Sequence, residues 1–133
     1  MMRFWLAAAV LCLSACATPV PPTVQQGLVD LLEKPAERAL FEGMRAYDEA
    51  QYPAAEAALK KALGAGLQSA RDTAAAHKLL AFIACTSERL AECETAFVAA
   101  RKADARFVLS RSEAGHPQWG PVYRRLPPTL QPP

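Results

Sequence analysis

The chain is 133 residues long, and its 15 lysines and arginines nearly balance 13 aspartates and glutamates, leaving a net charge of +2. That length suits one small domain and not two. Near-neutrality without a long basic run excludes a nucleic-acid binder and an electrostatic membrane patch.

The first residues are Met1, Met2 and Arg3, followed by an apolar run from Phe4 to Leu13. One positive charge ahead of a segment too short to cross a bilayer predicts a signal peptide over residues 1–15. The run ends in Leu13-Ser14-Ala15-Cys16, which resembles the bacterial lipobox. That resemblance implies cleavage before Cys16 and a diacylglyceryl group on its thiol, with several acyl chains giving an anchoring that one chain alone does not. Ala17 stands where an aspartate would resemble an inner-membrane retention signal, so the resemblance implies the outer membrane, with the domain facing the periplasm.

Residues 17–22 hold three prolines and are expected to form an extended tether, because proline fixes its own φ and pushes its predecessor out of the helical region. Thr23 with Gln26 makes a capping-box pattern, and Val24, Leu28, Leu31 and Leu32 recur at helical spacing, which predicts a short amphipathic helix up to about residue 34. Four further amphipathic helices follow. The first is expected over 35–49, with Leu40, Met44 and Tyr47 on one face. The second is expected over 53–63, with Pro53 as its first residue and Gly64 and Gly66 as its stop. The third starts after the N-cap Ser69, with Asp72 at its third position, and carries Ala76, Leu79, Leu80 and Ile83 on one stripe. Thr86 and Ser87 are expected to make the turn to the fourth, which carries Leu90, Cys93, Phe97 and Ala100 and fades near Asp104. Beyond it, Ser110 and Glu113 form a second capping box, Gly115 ends that turn, and Pro117 is expected to start a last short helix holding Trp119, Val122 and Tyr123. The proline-rich residues 127–133 are expected to be disordered.

The four helices repeat a pattern. Gly43, Tyr52, Ala55, Leu59 and Ala62 stand at offsets 0, 9, 12, 16 and 19, and Ala81, Leu90, Cys93, Phe97 and Ala100 stand at the same offsets 38 residues on. The first set closely resembles the tetratricopeptide repeat, and the second is a weaker match whose connection is longer by about four residues than that repeat allows. Small residues at the first, third and fifth places let two helices approach closely. Ala39 and His77 stand where the repeat has tryptophan, so the resemblance implies a degenerate form: an all-α domain of about two tetratricopeptide-like hairpins over 35–126. Because each repeat buries its face only against a neighbour, a capping helix is expected at each end.

Little in the chain invites catalysis. His77 and His116 are the only histidines and have no ligands at metal spacing, so neither a metal site nor a cofactor is expected. Ser110, Ser112 and Glu113 lack a GxSxG elbow or a glycine-rich phosphate loop around them. They read as helix caps, and no enzyme and no small-molecule substrate is expected. With Cys12 in the leader and Cys16 lipidated, Cys85 and Cys93 remain in an oxidising compartment. Their number suits one disulfide across the second hairpin, and two packed, reduced thiols are the alternative. Their spacing is not CxxC, which argues against a redox pair.

A surface is the better functional candidate. The repeat resemblance places Leu40, Met44, Tyr47 and Phe82 toward a groove lined by the first helix of each hairpin, with Lys78 and Asp48 at its rim, suited to a partner's helix or extended peptide. Alternatively, the amphipathic helix after Thr23 folds back and makes these residues core. Trp119 and Tyr123 are either a cap on the last repeat or an exposed aromatic contact.

Taken together, the lipobox, tether and repeats resemble the small tetratricopeptide lipoproteins. Among these, His77-Lys78-Leu79-Leu80-Ala81-Phe82-Ile83-Ala84-Cys85, then Cys93 and Phe97, then Glu113-Ala114-Gly115-His116-Pro117-Gln118-Trp119-Gly120-Pro121-Val122-Tyr123 resemble the TssQ-type lipoproteins associated with type VI secretion. The resemblance covers roughly residues 38–125 and implies an accessory protein of the cell envelope that acts by contact with a protein partner. A pilotin or assembly factor of another secretion or pilus system is the competing expectation.

Overall fold

A computed structural model describes residues 34–127. The expected signal peptide, Cys16, the expected tether, the amphipathic helix expected up to about residue 34, all but its last residue, and the expected disordered tail from residue 128 on lie outside the described residues.

Six α-helices follow one another: α1 (Pro35–Asp48), α2 (Tyr52–Ala65), α3 (Ala70–Thr86), α4 (Leu90–Ala103), α5 (Arg111–Ala114) and α6 (Gly120–Arg125). The fold is all-α and tetratricopeptide-like: α1 pairs with α2, α3 pairs with α4, and the two hairpins stack through α2 and α3. Small residues explain the pairing. A Cβ added to Gly43 would stand 2.8 Å from Leu59 Cγ, so only glycine lets α1 come this close to α2. At the equivalent places, Ala55, Leu59 and Ala62 in the first hairpin and Ala81, Cys93, Phe97 and Ala100 in the second are fully buried. Leu59 and Phe97, the large members of the two sets, each gain about 1.5–3 kcal/mol from that burial.

The two hairpin turns are also copies of each other. Each ends its helix in a Schellman arrangement, with Gln51 N–H donating to Ala46 O and Arg89 N–H donating to Ala84 O, both at 2.8 Å. Ala50 and Glu88 supply the left-handed residue, with φ of 57° and 60°.

Several expected boundaries move. The second helix begins at Tyr52, not Pro53, and passes through Gly64 to end at Gly66, whose φ of 86° breaks it. Gly64 has no positive φ and the helix runs through it, so the stop falls at Gly66 alone. The fourth begins at Leu90, and the turn spans three residues because the left-handed residue falls at Glu88. The last helix starts at Gly120 and not at Pro117, so Trp119 is its N-cap instead of a helical residue. His116 Nδ1 takes the N–H of Gln118 at 3.2 Å and holds this stretch as a turn. Ser69 does cap α3, accepting from Asp72 N–H at 3.2 Å, and the Ser110–Glu113 capping box is complete.

The core has two adjoining parts. One, between the hairpins, gathers Ala39, Leu40, Leu59, Ala76 and Ile83. The other joins α3 and α4 to the C-terminal segment through Phe82, Phe97, Leu109, Trp119, Val122 and Leu126. That segment covers the flank of the second hairpin and so serves as the expected C-terminal cap.

Candidate interaction surface

The face shared by α1 and α3, expected to be an open groove, is largely closed by the chain itself. Phe82 is only 4% exposed and Leu40 only 7%. Both are core, which corrects their expected place as groove lining. The physical reason for Phe82 is Trp119, whose indole lies flat on its ring with centroids 4.0 Å apart. Trp119 is buried in turn, its Nε1–H donating to Glu113 O at 2.8 Å while the His116 imidazole stacks on its outer side at 3.4 Å. Of the two alternatives for Trp119, the structure takes the cap. Leu40 is buried for a different reason: it lies in the between-hairpin core with Leu59 and Ala39.

The remaining expected contact residues divide. Met44 is 44% exposed and belongs to no core cluster, because α1 buries the small residues Ala36, Ala39, Gly43 and Ala46 with Leu40 and turns its larger side chains outward. Phe41, 68% exposed, accompanies it on the outer side. Tyr47 is half-buried against Tyr52 and Phe82, at 5.6 and 6.5 Å between ring centroids. Burial, helped by the neighbouring Tyr52, Asp48 and Glu113, raises its hydroxyl pKa. Tyr123 is half-buried edge-on to Phe97 at 5.3 Å, its hydroxyl accepting from Leu109 N–H and its ring face covered by Arg101. Its place is therefore in the cap.

Lys78, expected at the groove rim, donates to Glu113 Oε1 at 2.7 Å and lies 5.7 Å from the Phe82 ring centroid. Burial alone pushes the Glu113 carboxyl up, but hydrogen bonds from Lys78 and Ser110 outweigh it and leave its pKa lowered. One glutamate thus caps α5 and ties α5 to α3.

Sequence reasoning passed over the strongest polar cluster. Arg89 grips both carboxylate oxygens of Glu56, at 2.7 and 3.1 Å, and also reaches Glu92 at 2.7 Å, while Lys60 holds Glu56 at 2.6 Å. Hydrogen bonds from Arg89 and then Lys60 hold the Glu56 carboxyl at about 2, far below the usual carboxylate range. Lys60 and Glu92 are visible as local helical neighbours, but Glu56 and Arg89 are 33 residues apart and no periodic signal joins them. These charged side chains line a cleft of about 380 Å³ together with Leu80, Ala84, Ala96 and Ala99. His77 also lines it, with burial lowering its pKa.

Cys85 and Cys93 form a disulfide that pins α3 to α4, with Cα atoms 5.1 Å apart. Of the two alternatives left by the sequence, the bridge is the one present. Among the described residues, no three His, Cys, Asp or Glu side chains gather to hold a metal, and no helix is long and apolar enough to cross a membrane.

Comparisons of the chain with protein-family models, with curated proteins and with solved structures give no match.

Proposed function

We propose that the protein is a lipid-anchored adaptor of the bacterial envelope, held on the outer membrane through Cys16 and presenting a small helical-repeat domain to a protein partner in the periplasm. Its role as an accessory of type VI secretion rests on the resemblance of residues 38–125 to TssQ-type lipoproteins. The observation that carries the adaptor reading is a repeat scaffold behind the Leu13-Ser14-Ala15-Cys16 motif with large apolar side chains turned to solvent on α1, Phe41 and Met44 above all. Apolar side chains held on a rigid helix suit recognition of a partner, because little ordering is needed on binding.

Two measurements test the reading. Metabolic labelling with an alkynyl fatty acid should mark the wild type and not Cys16→Ala, which should stay uncleaved or become soluble; unchanged processing and membrane association in that variant defeats the anchor. A photo-crosslinking residue at Phe41 or Met44 should capture a secretion component that the same probe at Lys61 does not. Identical captures at all three positions, in folded protein, defeat the contact surface. Deletion that misplaces an outer-membrane pore subunit would instead favour the pilotin reading.

A further inference from the structure

A second concave feature lies away from α1. A cleft of about 440 Å³ opens between α3 and the α4–α5 connection, with Arg71, Ala74, Ala75 and Lys78 on the α3 wall and Asp104, Arg106, Phe107 and Val108 on the other. Its lining carries three cations and one carboxylate. Asp104 is already engaged by its own neighbour, accepting from Arg106 N–H at 2.9 Å and facing Arg106 Nε at 3.4 Å. Lys78 is engaged by Glu113. What remains facing solvent is the exposed Arg71 on one wall, Arg106 on the other, which stays mostly exposed although its Nε faces Asp104, and Val108, which at 76% is the most exposed large apolar side chain of the described residues.

We infer that this cleft is a docking site for an acidic segment of a partner protein, with side-chain carboxylates held by Arg71 and Arg106 and an apolar side chain covering Val108. Charge complementarity selects the occupant. Guanidinium groups on two walls suit separate carboxylates, each able to accept a forked pair of hydrogen bonds. An apolar side chain between them would remove Val108 from water, which is the usual composition of a contact with a polar rim. An anionic membrane surface is the poorer fit, since a planar array of headgroups does not enter a cleft. The site is separate from the Phe41–Met44 surface, so either can fail alone.

The test uses the full chain carrying Cys16→Ala and a short fluorescein-labelled peptide alternating glutamate and leucine, amidated at its C-terminus. Fluorescence anisotropy should report binding that weakens with salt and falls by about tenfold or more in the Arg71→Ala, Arg106→Ala double variant. The remote variant Lys61→Ala should bind as the wild type does. Both arginines face solvent, so the helical circular dichroism spectrum should be unchanged. The inference is overturned if a control peptide with glutamine in place of every glutamate binds equally well, if the double variant retains full affinity, or if no peptide binds. It is equally overturned if only phosphatidylglycerol vesicles bind in an arginine-dependent way.

Discussion

Ala50 and Glu88 occupy the same place in the two hairpins and share one backbone conformation, φ 57° and 60°, a region that side chains with a Cβ enter only at a cost. Each is the left-handed residue of a Schellman turn, the position where glycine is usually found.

Replacing either with glycine should therefore stabilise the fold. We expect Ala50→Gly and Glu88→Gly each to add about 0.5–1 kcal/mol, the strain relieved exceeding the extra flexibility gained by the unfolded chain. Urea denaturation followed by circular dichroism measures it. A loss of stability in both variants would show that the two turns are not strained as their φ angles imply.

Trp119 supports a prediction of the opposite sign. Truncation to alanine removes the stack on Phe82 and the hydrogen bond to Glu113 O. The expected cost is about 3–5 kcal/mol, the range for deleting a large aromatic from a core. Gly120→Ala offers an independent check on the same cap, because its Cβ would stand 2.5 Å from Ala114 O and drive α6 away from α5. It should destabilise by about 1–3 kcal/mol. If both variants unfold at the wild-type urea concentration, the C-terminal segment is not part of the cooperative unit.

Glu56 sets an acid dependence. Its carboxyl is held at about 2 by Arg89 and Lys60 when folded, whereas an unfolded chain would titrate it near the ordinary glutamate value. A carboxyl lowered in this way contributes its stability above the unfolded value and loses it as the pH falls toward the folded one. Glu56→Gln should accordingly cost on the order of 1–2 kcal/mol at neutral pH, allowing for partial solvent screening. The gap from wild type should close between about pH 4.5 and pH 2. Denaturation midpoints across that interval decide the matter, and a gap that does not change with pH would remove the ion pair as its source.

How much was readable beforehand follows the range of the interactions. The hairpins were legible because Gly43, Ala55, Leu59 and Ala62, and their counterparts from Ala81 to Ala100, are spaced by the helix period and by the closeness of paired helices. Caps at Ser69 and Ser110 were legible because a cap is a local bond between a side chain and a nearby N–H. Three-dimensional pairings across the chain were not. Phe82 reads as a groove residue until Trp119, 37 positions later, lies down on it. Met44 reads as sharing one face with Leu40 until the small residues of α1 are found to bury Leu40 and leave Met44 outside. The bond between Glu56 and Arg89 joins a helix face to a turn and leaves no trace in periodicity.

The Cys85–Cys93 bridge belongs to one hairpin only, and among the described residues nothing covalent matches it in α1 and α2. A pull transmitted through the chain ahead of Pro35 enters the molecule at the unbridged half. Under load that half should peel first, while the bridge keeps the facing ends of α3 and α4 joined. The domain thus has a yielding end nearer its N-terminus and a resistant end farther along the chain.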